Sequence, residues 1–76
     1  MPDDDIVAAL DQLPVALRVA IYFADVEGYR YREIAAMTNV PVGTVMSRLA
    51  RGRRRLRAML ADVSAQRQRV SAVTGE

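Results

Sequence analysis

The stretch YREIAAMTNVPVGTVMSRLARGRRRLRAM, residues 31–59, decides the fold. It divides at Asn39, Val40 and Pro41. Upstream, residues 31–37 space Ile34 and Met37 as the inward positions of a short helix, and Asn39 suits the left-handed residue that closes it. Downstream, Pro41 opens a longer helix that the apolar spacing carries to about Val63. At about 100° per residue, Val42, Val45, Leu49, Gly52, Leu56, Met59, Leu60 and Val63 share one stripe of about 100°. That stripe predicts the buried face. Gly52 lies inside it, which predicts a close pass of another helix rather than a break.

The opposite face of the same helix holds Gly43, Ser47, Ala50 and Arg54. Met46 and Arg57 stand on one shoulder of that face, Thr44 and Arg51 on the other. Arg48 and Arg55 flank one edge of the apolar stripe and Arg53 the other. Small residues near the start of a helix let its backbone approach base edges, while flanking arginines reach phosphates on both sides of a groove. The pattern predicts a helix-turn-helix over about residues 31–60, its second helix in the major groove of double-stranded DNA. Thr44, Met46, Ser47, Ala50 and Arg51 are the expected base readers. Arg51 suits a bidentate contact to guanine, and Met46 or Ala50 suits a thymine methyl. Tyr31, Arg32, Arg48, Arg53, Arg54 and Arg55 are the expected phosphate contacts. Ala35, small where two helices cross, stands four residues before Asn39 at the turn, and Val45 locks the second helix six residues later.

Two further helices are expected before this unit. Asp3, Asp4 and Asp5 place negative charge at a helix start, and Ile6, Leu10 and Leu13 follow at helical spacing. Three consecutive acids on a helix point in three directions, which argues against a metal site. Pro14 reads as the first residue of a second helix running through Val26, with Gly28 as its left-handed terminator. Val15, Leu17, Val19, Ala20, Ile21, Tyr22, Phe23, Ala24 and Val26 leave that helix little polar face. It is central to the core or shares its surface with a partner. The expected architecture is all-α: four helices ending in a helix-turn-helix with a long basic recognition helix. Residues 1–63 form the domain, and the polar residues 64–76 a flexible tail.

Seventy-six residues make a single small domain. The chain has no cysteine and no histidine, which removes disulfides, thiolate or imidazole metal sites and thiol-based redox sensing. No apolar run approaches the roughly 20 residues of a membrane helix, and the acidic start is unlike a signal peptide. The expected compartment is the cytoplasm, with no membrane partner. The net charge of +2 hides an asymmetry. Residues 1–40 carry three arginines against seven acids, residues 41–76 eight arginines against two. A basic half of this kind points to a polyanion, although the arginines would also serve as a solvated helix face on a protein-interaction module. An enzyme is not expected: the serines lack a base, and Gly43-Thr44 lacks the glycines and lysine of a phosphate loop. Nor is any cofactor or small-molecule substrate.

The string Gly43-Thr44-Val45-Met46-Ser47-Arg48-Leu49, followed by Arg51, Gly52 and Arg53, resembles region 4 of the extracytoplasmic-function (ECF) sigma factors of bacterial RNA polymerase. Asp25-Val26-Glu27-Gly28 and Glu33-Ile34-Ala35 strengthen the likeness, which covers about residues 8–60. The Met46-to-Leu49 wording and the arginine run 53–57 are similar to the actinobacterial oxidative-stress subgroup. The resemblance implies recognition of a GGAA-like −35 promoter element and docking on the β-subunit flap of core RNA polymerase. It also implies control by an anti-sigma factor, in that subgroup often a zinc-containing thiol sensor. Region 2 of a whole sigma factor has no counterpart here, so the chain is expected to be a C-terminal domain with Met1-Pro2 near the former linker. Alone it should bind DNA weakly and not initiate transcription. A LuxR-type response-regulator output domain shares the Glu-Ile-Ala and Thr-Val framework but usually carries a lysine-and-histidine wording after Thr-Val and no trailing arginine cluster.

Overall fold

The computed structural model describes residues 3–74, with side chains described for residues 4–66. Four α-helices succeed one another: α1 (Asp3–Asp11), α2 (Val15–Ile21), α3 (Tyr31–Thr38) and α4 (Val42–Thr74). A single π-helical turn, Tyr22–Val26, continues α2. There is no strand among the described residues, and no helix there is long and apolar enough to cross a membrane. The all-α expectation holds.

The turn of the helix-turn-helix forms as its residues dictate. Asn39 adopts φ 56°, ψ 49°, a left-handed conformation its short polar side chain tolerates. The Val40 N–H then donates to the Ala35 carbonyl at 3.0 Å and the Asn39 N–H to Ala36 at 3.3 Å, a Schellman closure that satisfies the last carbonyls of α3. At the other end of α3, the Glu33 carboxylate accepts the Arg30 N–H at 2.8 Å, covering a donor the helix leaves unpaired. Pro41 stands just before α4, its carbonyl accepting from Thr44 and Val45 at 3.0 and 3.3 Å. Pro14 plays the same part for α2. It is not the first helical residue: its ψ of 145° is extended, while its carbonyl accepts from Leu17 and Arg18.

The core is made where the stripe of α4 meets the other helices. Ile34, Val45 and Leu49, at 1%, 1% and 2% exposure, are its most deeply buried large side chains. Leu13, Leu17, Ala20, Ile21 and Ala35 complete it, with Leu56 and Met59 packed at the edge. Two expected core positions fall outside. Met37 is 48% exposed, because Ile34, Ala35 and the half-buried Thr38 set the inward direction of a helix only two turns long. Val42 is 42% exposed, because it is the first residue of α4 and the stripe is uncovered there.

Helix α2 crosses α4 at Gly52. A Cβ on that glycine would lie 2.6 Å from Ile21 Cδ1, 3.3 Å from Ile21 Cγ1 and 3.5 Å from Leu17 Cβ. The expected close pass is therefore present. Replacing Gly52 with leucine should cost about 3 kcal/mol in urea denaturation, the upper end for overpacking. Gly52→Ala should stay within about 1 kcal/mol of the native chain, since its clash is with the end of one side chain and alanine gains about that much helix propensity. Unchanged stability in Gly52→Leu would mean that the two helices do not pass this closely.

The second helix does not run as an α-helix to Val26. From Tyr22 the bonding widens: the Glu27 N–H donates to the Tyr22 carbonyl at 3.0 Å, and the Tyr29 N–H to Phe23 at 2.9 Å. Gly28, at φ 75°, ends the turn as its sequence position predicts. The wide turn keeps both Phe23 and Ala24 against the core and sets Phe23 edge-on to Tyr29, centroids 5.7 Å apart. The fourth helix also differs at its end, reaching Thr74 rather than stopping near Val63. Polar residues 64–69 contain no glycine or proline, and Ala, Gln and Arg are good helix formers. Met1-Pro2, near the expected linker, and residues 75 and 76 of the expected tail lie outside the described residues.

Candidate nucleic-acid interface

The turn at Asn39 and the burial of Val45 and Leu49 fix which side of α4 faces out. Met46, Ser47, Ala50 and Arg51 are exposed on it, Met46 at 54%, and Thr44 is half-buried. All five expected base readers therefore lie on the first turns of one helix. Gly43 has open space where a Cβ would project, so nothing among the described residues blocks the approach of this end of the helix to a groove. The Arg51 Nη2 donates to Ser47 Oγ at 3.5 Å. At that outer limit the contact is loose, and most of the guanidinium edge stays available.

The expected phosphate contacts divide into two kinds. Arg54 and Arg55 are exposed further along α4, Arg48 is half-buried at the stripe's edge, and Tyr31 and Arg32 are exposed at the start of α3. Arg53 is different. Its Nη2 lies 2.6 Å from Asp25 Oδ1, and its Nε donates to Oδ2 at 3.3 Å. This fork joins α4 to the π turn. The guanidinium pKa is raised above its ordinary value, first by the hydrogen bond to Asp25 and then by one to the Tyr31 side chain. Tyr31 and Arg53, both expected on DNA phosphates, are near each other, and Arg53 is engaged by a carboxylate of this chain. Sequence reasoning misses Asp25, which stands 28 residues from its partner with no local spacing to betray the pair.

A second surface lies on α2 and the π turn. Leu17, Ala20 and Ile21 are buried there, whereas Val15, Tyr22 and Val26 are exposed, as is Tyr29 beyond the turn. The near-absence of a polar face on this helix thus has two sources: one side is core, and the other is apolar surface. The Glu27 carboxylate near the Tyr22 hydroxyl raises its pKa.

The family model described as "Sigma-70, region 4" matches residues 3–56. Among curated proteins, the chain is 48% identical over 62 residues to the ECF RNA polymerase sigma factor SigE of Mycolicibacterium smegmatis, covering 82% of this chain and 24% of that protein. It is 48% identical over 44 residues to the ECF RNA polymerase sigma-E factor of Escherichia coli (strain K12), covering 58% of this chain and 23% of that one. The sigma-E factor of Salmonella typhimurium (strain LT2) matches to the same extent. The chain spans about a quarter of the length of the curated relatives it matches.

Proposed function

The chain belongs to the sigma-70 region 4 family, and from that premise we propose that it recognises the −35 promoter element as the C-terminal DNA-reading domain of an ECF sigma factor. The observation that carries the reading is the outward face of α4: Met46, Ser47, Ala50 and Arg51 exposed together, with Arg54 and Arg55 exposed along the same helix. Its chemistry is recognition rather than bond-making. Thr44, Met46, Ser47, Ala50 and Arg51 read bases, Arg51 through a guanine edge. Arg32, Arg48, Arg54 and Arg55, with the Tyr31 hydroxyl, hold the phosphates. Working beside DNA, the domain acts in the cytoplasm.

The titration that tests this uses a duplex carrying a GGAA-like element and a scrambled duplex, each at two salt concentrations. The promoter duplex should bind more tightly. Arg51→Ala should lose about 1–3 kcal/mol on the promoter duplex and little on the scrambled one. Arg54→Ala should weaken both alike, since a phosphate contact carries no sequence information. Equal binding of both duplexes by the native chain would sink the base-reading role.

A partner is proposed for the second surface as well. Val15, Tyr22 and Val26 offer exposed apolar area away from the basic face, the kind of patch that marks protein docking. Core RNA polymerase, through its β-subunit flap, is the proposed occupant in the initiating complex. An anti-sigma factor, zinc-containing if the oxidative-stress likeness extends that far, is the proposed occupant when the factor is held inactive. A pull-down against core polymerase tests the docking.

A further inference from the structure

We propose that Asp25 is a positioning residue that holds Arg53 out of the phosphate-contacting set, so that a carboxylate of the domain itself limits its affinity for DNA. This rests on the reading of α4 as a DNA-binding helix, and it assigns to two residues roles that the charge pattern alone would get wrong.

The geometry supplies the argument. Among the expected phosphate contacts, Arg53 forms a two-pronged ion pair within the domain, at 2.6 and 3.3 Å. A planar guanidinium presents its donors as a fork, and a carboxylate matches two of them as a phosphate would. Asp25 therefore occupies the Nε and Nη2 edge with the same chemistry that DNA would bring. The nearby Tyr31 side chain also favours the charged guanidinium.

Asp25 reaches this position because it sits in the π turn. A turn closed by i to i+5 bonds carries one residue more than an α-turn. The extra residue shifts the rest of the turn by about one position around the helix axis. The pair is half-exposed, with side chains at 38% and 44%, so it is open to competition rather than sealed. With Arg53 neutralised, Arg32, Arg48, Arg54 and Arg55 carry the counterion release.

Removing the carboxylate's charge without changing its shape should free Arg53 for a phosphate. Asp25→Asn is expected to steepen the log–log salt dependence of binding by about 0.9, the increment for one added phosphate contact. Its affinity at low salt should rise together with the slope, on promoter and scrambled duplexes alike. In the Asp25→Asn background, Arg53→Ala should return the slope to the native value. That double variant separates a freed Arg53 from the mere loss of a negative charge near DNA, because the latter would keep its effect without the arginine. Thermal unfolding of each variant, run in parallel, reports whether the brace between the π turn and α4 is also needed for folding.

Three results would overturn the inference. One is an unchanged or shallower slope in a folded Asp25→Asn. Another is a steeper slope that persists in the double variant. The third is a fall of about 0.9 on Arg53→Ala alone, which would make Arg53 a phosphate contact in the native chain. Should Asp25→Asn fail to fold, Arg53→Ala still decides the matter by the last criterion. If the native chain binds no duplex while remaining folded, the DNA-binding reading fails and the inference goes with it, a result distinct from the other three.

Discussion

Replacing Leu49 with alanine is expected to lower the unfolding free energy by about 2–5 kcal/mol. Leu49 is 2% exposed and packs in the cluster with Ile34, Val45 and the side chains of α2. The loss has two parts: the transfer of the deleted carbons from water, and the cavity that a close-packed interior fails to collapse around. For a chain of this length total stability is roughly 4–11 kcal/mol, so the substitution removes a large share of it. DNA binding should fall with the folded fraction even though Leu49 never faces the groove. Ala50, the next residue, is exposed. Ala50→Ser should change stability by about 0.5 kcal/mol or less, so two neighbouring positions separate the buried face from the reading face. Urea denaturation followed by circular dichroism measures both. A loss below about 1 kcal/mol for Leu49→Ala would mean that α4 is not packed through this stripe.

The features legible in the sequence are those set by residues close together in the chain. Val45, Leu49 and Gly52 declare their face through helical spacing, and the burial of the first two and the tight crossing at the third are its consequences. Asn39 and Gly28 announce left-handed positions because few other residues accept them. What stays hidden depends on where other elements end. Met37 and Val42 have apolar side chains at plausible stripe positions, yet both remain nearly half uncovered. Periodicity describes a helix, not the length of the helix beside it.

The π turn illustrates a different limit. An apolar run such as Ile21-Tyr22-Phe23-Ala24 fits an α-helix as well as a wider turn, and tertiary packing makes the choice. At the end of α4, polar composition is a poor stop signal, because neither glycine nor proline interrupts residues 64–74. At the candidate interface the outward positions of Met46, Ser47, Ala50 and Arg51 are legible. The engagement of Arg53 is not, because charge counting treats every arginine as free. Only the fold brings Asp25 to it.

Raising salt from 50 to 200 mM should therefore weaken binding of the promoter duplex by a factor that counts the arginines placed on phosphates. Arg32, Arg48, Arg54 and Arg55 provide four proposed phosphate contacts, for a slope of about −3.6 and a loss of about 150-fold. Were Arg53 a fifth, the slope would be about −4.5 and the loss about 500-fold. The dependence arises because each neutralised phosphate releases condensed counterions, whose return to solution is less favourable as salt rises. Hydrogen bonds from Ser47 and apolar contacts from Met46 or Ala50 release none, so they set the ratio of promoter to scrambled affinity without changing the slope. The two duplexes should thus give nearly parallel lines on a log–log plot, offset by the base readout. A slope shallower than about −2 would leave fewer than three phosphates neutralised. The basic face of α4 would then be a solvated helix surface, and the apolar patch on α2 the domain's main point of contact with other molecules.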